Sequence, residues 1–150
     1  MEILFTDITP TPNVFFNILP PDWQHSIVSF WKEYAPSSKI YTLKRGNEIL
    51  GGGIVFSQPT PDVAHYKKEA HDLFEKGYLY IAFLWMAPSQ RDKGLGSLWM
   101  KELFKKHPLQ KFWLSIEDYS LSAFYKKNNF TLYKEITTNP APEWIMLHEV

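Results

Sequence analysis

The stretch best equipped for chemistry is Ser89-Gln90-Arg91-Asp92-Lys93-Gly94-Leu95-Gly96-Ser97. It follows an apolar run, Tyr78 to Ala87, closed by Pro88, and opens a helical pattern that runs to about Lys106. A buried strand, a glycine-bearing turn and a helix in that order make an anion site. The first four N–H groups of a helix have no partner within it. They project from its positive end, where a phosphate accepts them. Gly94 and Gly96 lack a Cβ, which lets a ligand approach the backbone. The amides of Gly94, Leu95, Gly96 and Ser97 are therefore candidate phosphate donors, with Arg91 and Lys93 adding positive charge nearby. The competing reading is an ordinary strand–turn–helix whose glycines serve tight packing.

Other chemistries find little support in the residues. The chain has no cysteine, hence no disulfide, thiol nucleophile or Cys-based metal site. His65 and Glu69 are four apart, but a metal needs at least a third ligand, and none has suitable spacing; no metal is expected. Gly51-Gly52-Gly53 lacks the Lys-Ser or Lys-Thr that would complete a phosphate loop. Sixteen basic and sixteen acidic residues balance, so the basic excess of a nucleic-acid binder is absent. No apolar run reaches the ~20 residues that span a bilayer, and the N-terminus does not resemble a signal peptide. The expectation is one domain over residues 1–150, cytoplasmic, with neither nucleic acid nor membrane as partner.

The elements that must position the turn follow from pattern. Met1 to Phe5 suits a short strand, and Val14 to Leu19 a strand or an apolar anchor. Asp22 is a natural N-cap for an amphipathic helix over 23–34, with Trp23, Ile27, Phe30, Trp31 and Tyr34 on one face. Lys39 to Arg45 and Glu48 to Ser57 form a hairpin about Gly46-Asn47, with a bulge or close approach expected at the three glycines. Asp62 to Lys76 presents Val63, Tyr66, Ala70, Leu73 and Phe74 at helical spacing. Tyr78 to Ala87, uncharged and apolar, reads as a strand buried on both faces. Phe112 to Glu117 alternates as a strand, Asp118 to about Asn128 is a short helix, and Phe130 to Thr137 and Trp144 to His148 are closing strands around a loop at 139–142. The result is an α/β protein, a mixed sheet with helices on its faces.

Arg91-x-x-Gly94-x-Gly96 resembles the acyl-CoA pyrophosphate signature of the GCN5-related N-acetyltransferases, the GNAT superfamily. Tyr125-Lys126-Lys127-Asn128-Asn129-Phe130 resembles the family's later motif, with Asn129 where glycine is usual. Asn tolerates the left-handed conformation that a helix end often requires. The resemblance covers roughly residues 40–137. It implies a GNAT-like acyl-CoA N-acyltransferase fold with a central mixed, mostly antiparallel sheet and helices on both faces. It implies acetyl-CoA as co-substrate, its pantetheine arm pairing with the backbone of Leu84, Trp85 and Met86 where the central strand splays from its neighbour. It also implies that Asp118 stands where the family commonly has an Asn that bonds the arm. Tyr125 takes the position of the family's general acid, which protonates the departing thiolate. The acceptor is expected to be a primary amine of a small molecule, acetylated by direct transfer. No residue stands out as the base: Tyr80, Glu117 and the 62–76 segment are all open. A non-catalytic acyl-CoA-binding or regulatory domain on the same fold is the alternative, and the closing strands could pair across a homodimer.

Overall fold

The computed structural model describes residues 2–137 and 141–150. Among the described residues seven strands form one sheet: β1 Ile3–Asp7, β2 Ser38–Arg45, β3 Glu48–Phe56, β4 Tyr78–Met86, β5 Lys111–Ile116, β6 Thr131–Ile136 and β7 Glu143–His148, in the spatial order β1-β2-β3-β4-β5-β7-β6. Every neighbouring pair is antiparallel except β4 and β5. Helices α1 Asn13–Phe16, α2 Pro21–Tyr34 and α3 Lys67–Glu75 are joined in sequence by α4 Leu95–Lys106 and α5 Ser122–Lys127. The mixed, mostly antiparallel sheet with helices on both faces is the architecture expected from the sequence.

Alternation along the strands divides the core in two. Phe112, Leu114 and Ile116 join Trp99, Met100 and Leu103 of α4, while Trp113 joins Ile27 of α2 and Ala70 and Leu73 of α3. Each residue of β5 thus faces the side opposite its neighbour, as the pleat requires. One face carries α1, α2 and α3; the other carries α4 and α5.

The parallel pair controls the middle of the sheet. β4 and β5 pair only at Tyr78–Lys111, Leu79–Phe112 and Tyr80–Trp113. Beyond that point β4 keeps pairing with β3 as far as Met86, and β5 with β7 as far as Ile116. The two strands diverge and leave a V-shaped cleft. A bulge helps turn β4 away: Gly52 opposes Trp85 and Ile54 opposes Ala82, so Phe83 and Leu84 together face the single Gly53. Phe83 has φ 56, an unfavourable backbone for a bulky residue. Its ring packs edge-on against Trp23. The expected burial of β4 on both faces holds only for its first half. Tyr78, Tyr80 and Ile81 are buried, whereas Ala82 to Met86 are half-exposed because β5 no longer runs beside them.

Local expectations differ in three further places. Residues 13–16 are helical rather than extended, anchored by buried Phe15 and Phe16, because Pro12 starts the turn and its carbonyl takes the N–H groups of both. Asp22 lies inside the first turn of α2; Pro20 is the N-cap and Pro21 occupies the first helical position, which its fixed φ suits. The 62–76 segment is a 3-10 turn, Pro61–Tyr66, followed by α3, with the break at Tyr66. The three glycines of β3 each admit a close neighbour, as expected: a Cβ would lie 2.6 Å from the Trp85 carbonyl oxygen at Gly51, 3.1 Å from the Phe15 ring at Gly52 and 2.7 Å from the Trp99 ring at Gly53. Of the loop expected at 139–142, Asn139 and Pro140 lie outside the described residues. No helix among the described residues is long and apolar enough to cross a membrane.

Candidate functional site

Strand β4 passes the chain through a 3-10 turn, Pro88–Gln90, into the loop before α4. Asp92 (φ 62) and Gly94 (φ 74) are both left-handed. Gly94 is the N-cap of α4, which has no side-chain cap, and its carbonyl takes the Leu98 N–H at 3.0 Å. Among the described residues no acceptor bonds the N–H groups of Leu95, Gly96 or Ser97. These are the unpaired donors of a helix start. A Cβ built on Gly94 would meet nothing within 4 Å, so the space at this corner is open. Glycine at 96 fits the competing reading of tight packing. A Cβ there would lie 2.9 Å from Cζ of Phe124, so the small residue seats α4 against α5.

The flanking side chains are already engaged. Arg91 folds back over the Trp85 ring, 4.3 Å from its centroid, and its Nε donates to the Met86 carbonyl at 3.2 Å. It thereby pins the end of β4. Lys93 Nζ reaches Gln90 Oε1 at 3.5 Å. Ser97 Oγ accepts from Asn128 Nδ2 at 3.2 Å, a second tie between α4 and the end of α5. Asp118 is exposed, and its Oδ1 accepts the Ser120 N–H at 3.0 Å, capping the turn that leads to α5. The Ser120 side chain, then its N–H, holds the Asp118 carboxyl below the usual range. Trp85 Nε1 and Trp113 Nε1, one on each strand of the V, are buried donors with no partner among the described residues.

Tyr125 lies on α5, on the same side of the sheet as Leu84, Met86 and Ile116. Its ring packs edge-on against Phe124 and Phe130. Burial pushes its hydroxyl up to about 12. It is therefore a protonated phenol throughout the neutral range.

The opposite face carries a polar network that sequence reasoning did not assemble. Tyr66 Oη donates to Ser115 Oγ at 3.0 Å, and Ser115 Oγ donates to Glu143 Oε2 at 2.9 Å. The other carboxylate oxygen, Oε1, pairs with His65 Nε2. Beside them Tyr80 Oη donates to Asp62 Oδ2 at 2.6 Å, and Thr60 Oγ1 bonds the other oxygen of Asp62. Tyr80 stacks on Trp113 at 4.3 Å. Burial, then Asp62, raises the Tyr80 hydroxyl well above its ordinary value; burial, then Glu143 and Asp62, raises Tyr66 even against its bond to Ser115. Ser115 belongs to the part of β5 that has left β4, so this network borders the cleft.

The turn follows the end of β4 where β5 has left it; Tyr125 lies on the α4 face of the sheet, and Tyr66, Ser115, Glu143 and His65 are linked on the other. The alternation of 112–117 placed Ser115 on the Trp113 side, a signal that was legible. Glu143 sits in the last strand, 28 residues from Ser115, and nothing in its local sequence sets it apart. His65 and Glu69 turn to different partners, Glu143 and Lys134. A separate hollow of about 900 Å³ opens between the last turns of α4 and α5, beside Lys101, Lys105, Lys126 and Lys127. Most of the ~18 Å length of α4 separates it from Gly94.

A family model described as the acetyltransferase (GNAT) family matches residues 5–130. Among solved structures, a GNAT-family protein from Desulfovibrio desulfuricans superposes with TM-score 0.70 at 13% identity, covering 99% of both chains. A GNAT family acetyltransferase from Elizabethkingia anophelis with acetyl-CoA bound superposes with TM-score 0.63 at 14% identity, covering 99% of this chain and 98% of that one. A Bacillus subtilis acetyltransferase in complex with CoA gives TM-score 0.62 at 13% identity, with the same coverage. At such identities the structures are alike in fold. No curated protein matches the chain.

Proposed function

Because the chain belongs to the GNAT acetyltransferase family, we propose that residues 1–150 form one N-acetyltransferase domain that moves an acetyl group from acetyl-CoA directly to a primary amine of a small molecule. The observation that carries this reading is the open helix start at Gly94 beside a strand that has lost its partner on one edge. Acetyl-CoA supplies the activated acyl carbon as a thioester; the chain supplies place and protons. The pyrophosphate suits the unpaired N–H groups of Leu95, Gly96 and Ser97, with Gly94 leaving room and Lys93 adding charge. Arg91 acts from behind, holding the Met86 end of β4. The unpaired edge of β4 from Leu84 through Trp85 to Met86 provides backbone groups for the amides of the pantetheine arm. Asp118 Oδ2, which the turn leaves uncommitted, is an acceptor for the same arm.

Tyr125 is the acid in this reading. A phenol raised to about 12 stays protonated and donates a hydrogen bond, then a proton, to sulfur as negative charge develops there. Fixing donor and acceptor in one cleft supplies much of the acceleration, since effective molarities for well-oriented groups reach ~10⁵ M or more. The test pairs calorimetric CoA binding with thiol release from acetyl-CoA over a panel of primary amines. The expected result is CoA binding together with amine-dependent thiol release. CoA binding without turnover of any amine would make the chain a CoA-binding domain, and no binding would remove the reading altogether.

A further inference from the structure

We propose that Glu143 is the base of the reaction, taking the acceptor's proton through Ser115 and Tyr66, with His65 holding its second carboxylate oxygen. This rests on the transferase reading above. The geometry gives three reasons. First, the hydrogen bonds have one direction: Tyr66 donates to Ser115, and Ser115 donates to Glu143. A proton arriving at Tyr66 Oη can therefore pass along the row, each oxygen handing on its own hydrogen, to end on Glu143 Oε2. Second, the row reaches the cleft at half-buried Ser115, which sits where β5 no longer pairs with β4, and the hydroxyl of buried Tyr66 lies 3.0 Å from it. Third, the network lies on the face of the sheet opposite Tyr125. Acid and base thus approach a thioester lying in the V from its two sides, so neither has to occupy the other's place.

The step balances. The amine nitrogen's lone pair forms the C–N bond, and Glu143 receives the nitrogen's proton by way of Tyr66 and Ser115. The pair of the breaking C–S bond stays on sulfur, which takes its proton from Tyr125. Tyr125 recovers a proton from water, and Glu143 returns one to water beside His65, whose side chain is 38% exposed while that of Glu143 is 11% exposed. Tyr66 is the catalytic residue in this account, since its hydroxyl meets the acceptor; Ser115, Glu143 and His65 act through it. The charged and titratable groups around Glu143 are His65, Asp62 and Tyr66 from the turn before α3, Tyr80 from β4, Glu117 just beyond β5, and Glu135 from β6.

The experiment compares wild type with Glu143→Gln, Glu143→Ala and Tyr66→Phe. It uses whichever amine of the panel wild type acetylates, and calorimetric CoA binding reports on the fold. General bases contribute roughly 10²–10⁴-fold. Glu143→Gln should therefore lower kcat ~100-fold at pH 7 with CoA affinity within about twofold, and its residual rate should climb with pH as the amine loses its own proton. Tyr66→Phe should show the same profile, and formate should restore part of the Glu143→Ala rate. The inference is overturned if Glu143→Gln keeps the wild-type rate and pH profile, or if turnover and CoA affinity fall together in every variant, which would make the network a brace between β7 and the turn before α3. Wild type that binds CoA yet acetylates no amine overturns the transferase reading, and this inference with it.

Discussion

Glycine at position 96 distinguishes two accounts of the turn: room for a ligand, or room for Phe124. The Cβ of an alanine would lie 2.9 Å from Cζ and 3.3 Å from Cε1 of Phe124. Ordinary contact needs about 3.5–4.0 Å, so the ring must retreat by ~0.6 Å or more. Overpacking of this kind costs about 1–3 kcal/mol. Alanine in a helix returns ~0.5–1 kcal/mol relative to glycine. The single variant Gly96→Ala should thus be destabilised by roughly 0–2.5 kcal/mol. In a Phe124→Leu background the clash disappears, and the same substitution should stabilise by ~0.5–1 kcal/mol. The coupling energy across the cycle is then ~1–3 kcal/mol. Urea unfolding of the four proteins measures it, with CoA titration in parallel. Coupling below ~0.5 kcal/mol together with a large loss of CoA affinity would refute the packing account. It would return Gly96 to the role its position in the sequence suggests. Phe124 adjoins Tyr125, so the packing account also expects Gly96→Ala to lower kcat by displacing α5.

Two more outcomes follow from the tyrosines. Tyr125→Phe should slow amine acetylation about tenfold or more with CoA affinity unchanged, and the ratio to wild type should stay flat from pH 6 to 10 because the hydroxyl is raised to about 12; a ratio that titrates within that range would remove the proposed acid role. Unfolding free energy should fall as pH rises from 10 through 12. Burial raises Tyr66, Tyr80 and Tyr125 in the folded chain, so their contribution is complete below the unfolded value near 10 and is lost as the folded groups ionise. Tyr125→Phe should flatten that limb by a few kcal/mol, and an unchanged slope would mean the hydroxyl is not desolvated.

Local signals sufficed for much of this protein. The strand–turn–helix at Tyr78–Lys106, the Gly46-Asn47 hairpin and the alternation of β5 are each set by side-chain period and by backbone freedom at one or two residues, so they are legible within a short window. The family signature is legible for the same reason, because its residues, Arg91 to Gly96, lie within a single turn. What the window could not contain is the far side of the cleft. β4 looked buried on both faces because its residues are apolar; that its second half stands open depends on β5 parting from it after Trp113. That the partner packed against Gly96 is Phe124, 28 residues onward, was likewise outside the window. Glu143 gained its partners only when β7 was laid beside β5, which set its carboxylate against Ser115 and against His65, 78 residues earlier in the chain. Period and propensity act between residues a few positions apart, whereas a network of hydroxyls and carboxylates is decided by which strands pair, and pairing is a property of the whole sheet.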